Sequence, residues 1–235
     1  MMALLITLLM VVTQDAVPVK PKASNIEQSV LKIVVLNPQN QVISVGTGFF
    51  VGNGTLIATA SHVYLEAGKT IVDSGGGKMY ALKSLRSGPK FAVPVQLAAE
   101  DFAHDVALLR FDPSLIKQQA PGFEIKPLEL DSKKPEIGDS VEFMGYFAGD
   151  DYPLLSRTLV AGFTPPPELL VLDLPANPGQ SGSPVLSLEN GKVVGILSSF
   201  VPVVLVPGSL PTHSGLSRSV EVEHLKRLME SAVVR

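Results

Sequence analysis

Apolar and polar positions alternate along this chain in bursts too brief for helices. "SVLKIVVL", "QVISVGTGFFV", "GTLIATA", "KTIVDS", "KMYALKSL", "FAVPVQLA" and "DVALLRF" form a first set, rich in Val, Ile, Leu and Phe. Runs of this length, divided by Asn-Pro, Gly-Asn-Gly and Gly-Gly-Gly, predict β-strands joined by turns. A polar, proline-bounded stretch, "DPSLIKQQAPGF" (Asp112 to Phe123), then interrupts the pattern and reads as a connector. A second set follows: "FEIKPLEL", "DSVEFMGYF", "RTLVAGF", "LLVLDL", "SPVLSL", "KVVGILSSF" and "SGLSRSV". Two similar sets of short strands predict an all-β molecule of two packed antiparallel β-barrels. The expected bounds are 29–111 for the first barrel, 112–122 for the connector and 123–218 for the second barrel.

The period changes at both ends of the chain. In "SVEVEHLKRLMES", Val222, Leu225, Leu228 and Met229 follow helical spacing, with Glu221, Lys226, Arg227 and Glu230 on the wet side. A C-terminal α-helix over about 219–231 is predicted. At the start, Ala3 to Val12 is an apolar run of signal-peptide length, too short to form a stable membrane span. It departs from the usual signal twice, since no Lys or Arg precedes it and Gln14 breaks the small-x-small rule before Ala16. The expectation is a leader over 1–22, a single domain over 23–235, and export to the periplasm or the medium. A buried first element in a cytoplasmic protein is the alternative.

Composition narrows the function classes. Hydrophobic residues make up 46% and charged residues 17% of the 235 residues, enough apolar matter for a real core and too much for a disordered chain. The formal net charge is -3 with no basic run, so a nucleic-acid partner is not expected. Cysteine is absent, which excludes disulfides, thiolate zinc sites and a thiol nucleophile. His62, His104, His213 and His224 lie far apart or outside metal spacing, and neither a metal nor a cofactor is expected.

Three stretches carry candidate chemistry. "TLIATASHV" puts His62 just after an apolar strand, "AHDVALLRF" puts Asp105 at the mouth of another, and "NPGQSGSPV" puts Ser181 in a glycine-flanked turn. Alone, each has a bland reading: a structural histidine, a surface carboxylate, an ordinary turn. Together and in this order they match the needs of acyl transfer by serine. The hydroxyl is a poor nucleophile until an imidazole takes its proton, and a carboxylate must hold that imidazole in one tautomer. Gly179 lets the turn aim its own N–H and that of Ser181 at a developing oxyanion. Of the other histidines, His104 is expected to face away from Asp105, His224 to be solvated on the helix, and His213 to sit in a loop.

On these residues the chain resembles the trypsin-like (chymotrypsin-fold) serine proteases, over roughly Ile33 to Met229. "GTGFFVGNGTLIATASHV" is similar to the family's strands leading to its histidine, "HDVALLRF" to the segment of its aspartate, and "NPGQSGSPV" to that of its serine. "VVGILSSF" resembles the strand that pairs with substrate. The likeness is greatest to the cysteine-free bacterial branch, the high-temperature-requirement (HtrA-type) proteases, here without a peptide-binding PDZ domain. Ser183 in "SGSPV" is similar to the glutamyl endopeptidases. The resemblance implies a serine endopeptidase acting on protein or peptide, with His62 as general base, Asp105 as its orienter and Ser181 as nucleophile. It also implies that each barrel has six strands, that Gly179 and Ser181 form the oxyanion hole, that Ser198 bonds near the carboxylate, and that Ser198, Ser199 and Phe200 pair with the substrate strand. Gln180 replaces the aspartate that ion-pairs with a new N-terminus in the digestive members, so that activation step is not expected.

The same likeness points to a specificity pocket. Pro175 stands where a basic-specific enzyme needs a carboxylate, and Leu197 where an acid-specific one has histidine. Pro175, Ala176, Ser199, Phe200 and Ser217 leave an uncharged lining, and cleavage after small or medium apolar residues is expected. Two alternatives stay open: a catalytically silent binding module of the same fold, and a cytosolic processing or quality-control protease.

Overall fold

Both faces of strand β1 (Val30–Leu36) are buried, and that double burial points to the architecture. Leu31, Ile33 and Val35 enter one apolar cluster, while Val30 joins another on the opposite face. A strand covered on both sides reads as a continuous apolar run. One with a wet face alternates, as β7 (Phe91–Asp101) does with Phe91, Val93 and Val95 inward and Ala92, Pro94 and Gln96 outward. The computed structural model of the chain describes residues 23–66, 69–70, 77–84, 90–165, 169–203 and 212–233.

Two closed antiparallel barrels result, as the strand pattern predicts, each of six strands, as the family resemblance implies. The first joins β1, β2 (Val42–Val51), β3 (Leu56–Thr59), β8 (Val106–Arg110), β7 and β6 (Lys78–Lys83), in that order around the barrel. A two-residue ladder of β4 (Leu65–Glu66) and β5 (Lys69–Thr70) stands apart. The second barrel runs β10 (Pro153–Phe163), β11 (Leu169–Leu172), β14 (Thr212–Glu221), β13 (Val193–Val203), β12 (Pro184–Ser187) and β9 (Ser140–Tyr146). Each barrel has its own interior cluster. A third cluster lies between them, where Phe49, Val51, Ala58 and Leu108 meet Met144, Tyr146, Leu186 and Ile196. Val222, Leu225 and Leu228 of the terminal helix α3 (Val222–Val233) seal it.

The structure departs from the sequence reading at four places. A short helix α1 (Ala23–Ser29) precedes β1 and buries Ile26. The expected connector contains helix α2 (Pro113–Gln119), whose signals are present in the sequence: Asp112 accepts from the Ser114 N–H, Pro113 begins the first turn, and Ile116 is buried. "FEIKPLEL" is not a ladder strand and has only an isolated bridge from Leu130 to Val193. Pro127 has no N–H to give, Phe123 plugs the first barrel, and Leu128 N–H donates to Phe50 O, so the segment straddles the barrels. Helix α3 begins at Val222 because β14 keeps its ladder through Glu221, opposite Gly195. "KTIVDS" is described only at Lys69 and Thr70, and the leader at 1–22 lies outside the described residues. No helix among the described residues is long and apolar enough to cross a membrane.

Candidate active site

The crease between the barrels collects the three chemically suggestive side chains. His62 sits in a 3-10 turn (Ser61–Val63) directly after β3, and Asp105 ends a second 3-10 turn (Phe102–His104) after β7. Asp105 has φ 56 and ψ 42, the left-handed conformation, which aspartate tolerates better than most residues. That backbone turns the carboxylate toward the His62 loop. The His62 N–H donates to Asp105 Oδ1 at 2.9 Å, and His62 Nδ1 lies 2.8 Å from Oδ2 and 3.0 Å from Oδ1. Ser198 Oγ donates to Oδ2 at 2.6 Å. Burial pushes the Asp105 carboxyl up, but the hydrogen bonds from His62 and Ser198 outweigh it and hold it below the usual carboxylate range. An ionised Asp105 makes Nδ1 the protonated nitrogen of a neutral His62 ring and leaves Nε2 as the acceptor.

Ser181 arrives from the second barrel on a turn with almost no slack. Gly179 and Gly182 have φ of +93° and +87°. A Cβ at Gly182 would stand 2.0 Å from Thr47 O, and one at Gly179 2.5 Å from Ala148 N. The turn is clamped from the first barrel by Thr47, which sequence reasoning missed. Thr47 N–H donates to Ser181 O at 2.8 Å, and Thr47 Oγ1 donates to Gly179 O at 2.8 Å while accepting from Tyr146 N–H. Thr59 Oγ1 in turn donates to Thr47 O. The Gly179 and Ser181 N–H groups donate to none of the acceptors among the described residues. Ser181 Oγ donates to Ser198 O at 3.1 Å. Ser198 can serve both neighbours because it is the extra residue of a β-bulge: Leu197 pairs with Ser219 and Ser199 with Arg218, leaving Ser198 outside the ladder.

The remaining expected site residues divide. Pro175, Ser198 and Ser199 are half-buried near the Ser181 turn, whereas Ala176 is packed into the second barrel's core. The Phe200 backbone pairs with Ser217, whose fully buried hydroxyl has no hydrogen-bond partner among the described residues. Gln180 is buried and accepts from Asn177 N–H, which braces the turn. His104 lies in a 3-10 turn, and its Nδ1 sits 2.7 Å from Asp101 Oδ2. Two other histidines differ from expectation. His224 is half-buried rather than solvated, its ring stacked on that of His104 at 3.7 Å. Burial, then His104 and Arg227, push the His224 imidazole below its usual range. His213 falls on β14, opposite Pro202, and not in a loop.

Comparison with known proteins gives a match over residues 46–196 to the family described as "Trypsin-like peptidase domain". Among curated proteins, one from Pseudomonas fluorescens named "Probable periplasmic serine endoprotease DegP-like" is 30% identical over 166 residues. That alignment covers 68% of this chain and 30% of the relative. Across the first curated relatives the chain spans only about a quarter to somewhat over a third of their length. Among solved structures, the serine endoprotease from Yersinia pestis superposes with a TM-score of 0.64 at 16% identity, over 90% of this chain and 65% of that one. Deg5 superposes with a TM-score of 0.65 at 19% identity, over 87% and 88%. At these identities the structural likenesses speak to the fold.

Proposed function

Because the chain belongs to the trypsin-like peptidase family, we propose that it is a serine endopeptidase working through His62, Asp105 and Ser181. The observation that carries this reading is the Asp105 carboxylate, which receives the His62 backbone N–H, His62 Nδ1 and Ser198 Oγ. In the reaction Ser181 Oγ turns from Ser198 O toward His62 and attacks the scissile carbonyl, giving its proton to Nε2. The Gly179 and Ser181 N–H groups receive the oxyanion. The tetrahedral species collapses as Nε2 returns the proton to the leaving amine, leaving an acyl-enzyme on Ser181. Water then attacks by the same route and frees the carboxylic product. Asp105 stays ionised throughout and stabilises the imidazolium.

The primary pocket of this proposal is the one the family resemblance assigns to Pro175, Ser199, Phe200 and Ser217, with Ala176 buried in the second barrel's core. None of these carries a charge, and an uncharged pocket rejects charged side chains because burying a charge unpaired is costly. Cleavage falls after small or medium apolar residues, each gaining about 1.5–3 kcal/mol from burying a Val- or Leu-sized group. A leader over residues 1–22 and export are part of the proposal, in keeping with the relative named periplasmic.

A peptide-library digest tests both site and specificity. The wild-type protein is expected to cut after Ala, Val or Leu, and Ser181→Ala to give no cuts. Cuts dominated by Glu, or by Lys and Arg, would overturn the pocket assignment. Undiminished cutting by Ser181→Ala would overturn the site.

A further inference from the structure

Asp101, His104 and His224 bring together one carboxylate oxygen and two imidazole nitrogens, all within 4.8 Å of one another. We propose that these three side chains form a binding site for a divalent transition-metal ion of the zinc type, tying helix α3 to the turn that carries Asp105. Two imidazoles and a carboxylate suit zinc and its neighbours and are poor for calcium or magnesium, which want mainly oxygen. Asp101 and His104 are i,i+3 in one 3-10 turn, with Asp101 as its cap, so a rigid element presents two of the ligands. His224 comes from the first turn of α3, an element distant in sequence, which is how a small ion acquires a staple function.

The distances fit with little movement. Metal bonds of about 2.0–2.2 Å place tetrahedral ligand atoms roughly 3.3–3.5 Å apart. Asp101 Oδ2 and His104 Nδ1 must part from 2.7 Å as the ion replaces the proton between them. The remaining separations are no more than 4.8 Å, so none has to close by more than about 1.5 Å, within reach of side-chain rotation. The stacked rings, now tilted by 26°, must splay so that both nitrogen lone pairs converge. Arg227 donates to His224 Nδ1 at 3.1 Å, so binding at that nitrogen requires the guanidinium to swing out to solvent. All three ligand residues are half-buried, which leaves access for the ion and for water in the fourth position.

This inference does not rest on the peptidase reading, and its test does not use activity. The full chain is titrated with zinc chloride by calorimetry, and its melting midpoint is followed with zinc or with a chelator. His224→Gln, His104→Gln and His62→Gln are run alongside, the last to account for an ion held by the other His–Asp pair. One ion per chain is expected for wild type and His62→Gln, with affinity falling at least tenfold in the other two variants. At about a hundred times Kd, zinc raises the wild-type midpoint by roughly 5–10 °C. If either His224→Gln or His104→Gln does not fold, the other decides. The proposal is overturned if wild type binds no ion at micromolar zinc. It is equally overturned if binding survives at His104 and His224 substitutions or vanishes only with His62→Gln.

Discussion

At Asp105 two opposing pressures meet: burial disfavours the carboxylate, and the bonds from His62 and Ser198 favour it and win. The sign of the pH dependence follows. Because the folded group titrates below its unfolded value of about 3.9, its stabilising contribution is complete above that value. It is lost as pH falls through the lower folded value. Urea unfolding of wild type and Asp105→Asn should therefore show a stability gap at pH 7 that narrows below pH 4. Activity is a separate matter. In the proposed mechanism Asp105→Asn would hold His62 in the wrong tautomer, and a loss of kcat of about 10⁴-fold is expected with the fold kept. Thr47 affects the site from outside it. In Thr47→Val the Gly179 carbonyl loses a donor and the Tyr146 N–H an acceptor, each costing about 1–3 kcal/mol when buried. A lower melting midpoint together with a fall in kcat is the expected result, and unchanged kcat would mean that the turn holds itself. His62, Asp105 and Ser181 were legible in the sequence because each sits in a distinctive local context. Thr47 was not, since a threonine in a strand looks the same whether or not its hydroxyl reaches 132 residues along the chain.

Among elements, β13 and α1 show how position alters chemistry. The bulge at Ser198 withdraws one residue from the ladder and so offers a hydroxyl to Asp105 and a carbonyl to Ser181. No period-two reading can reveal it, because a bulge is an exception to the period. The missed helices have different causes. Helix α2 carried its cap and its proline in plain view, but a seven-residue helix offers only two turns of periodicity against a polar background. Helix α1 is tied down by Lys83, whose buried ammonium donates to the carbonyls of Glu27 and Val30. Burial pulls Lys83 down to about 7, whereas an unfolded lysine titrates near 10.4. Between those values the unfolded chain holds more protons, so stability rises with pH across that window, and the burial penalty is fully present below it. Lys83→Met should flatten the slope of unfolding free energy between pH 7 and 10. An identical slope in the variant would move its origin elsewhere.

Over the whole molecule, the division into two barrels follows from strand period, but their packing does not. Phe49, Ala58 and Leu108 lie on the outer face of the first barrel, and nothing in their spacing distinguishes a face turned to a partner barrel from one turned to water. Leu225 anchors the terminal helix in that interface, and Leu225→Ala should cost about 2–5 kcal/mol through the cavity it leaves. A loss below 0.5 kcal/mol would mean that α3 contributes little to holding the barrels together. That packing sets the site, since Thr47 and His62 come from one barrel and the Ser181 turn and Ser198 from the other. The most direct measurement of the central claim is covalent labelling of the purified protein with a fluorophosphonate, mapped by mass spectrometry of its peptides. The account predicts one adduct per chain, on Ser181, lost in Ser181→Ala and strongly slowed in Asp105→Asn. A folded wild-type protein that takes up no label, or takes it up on another residue, would contradict it.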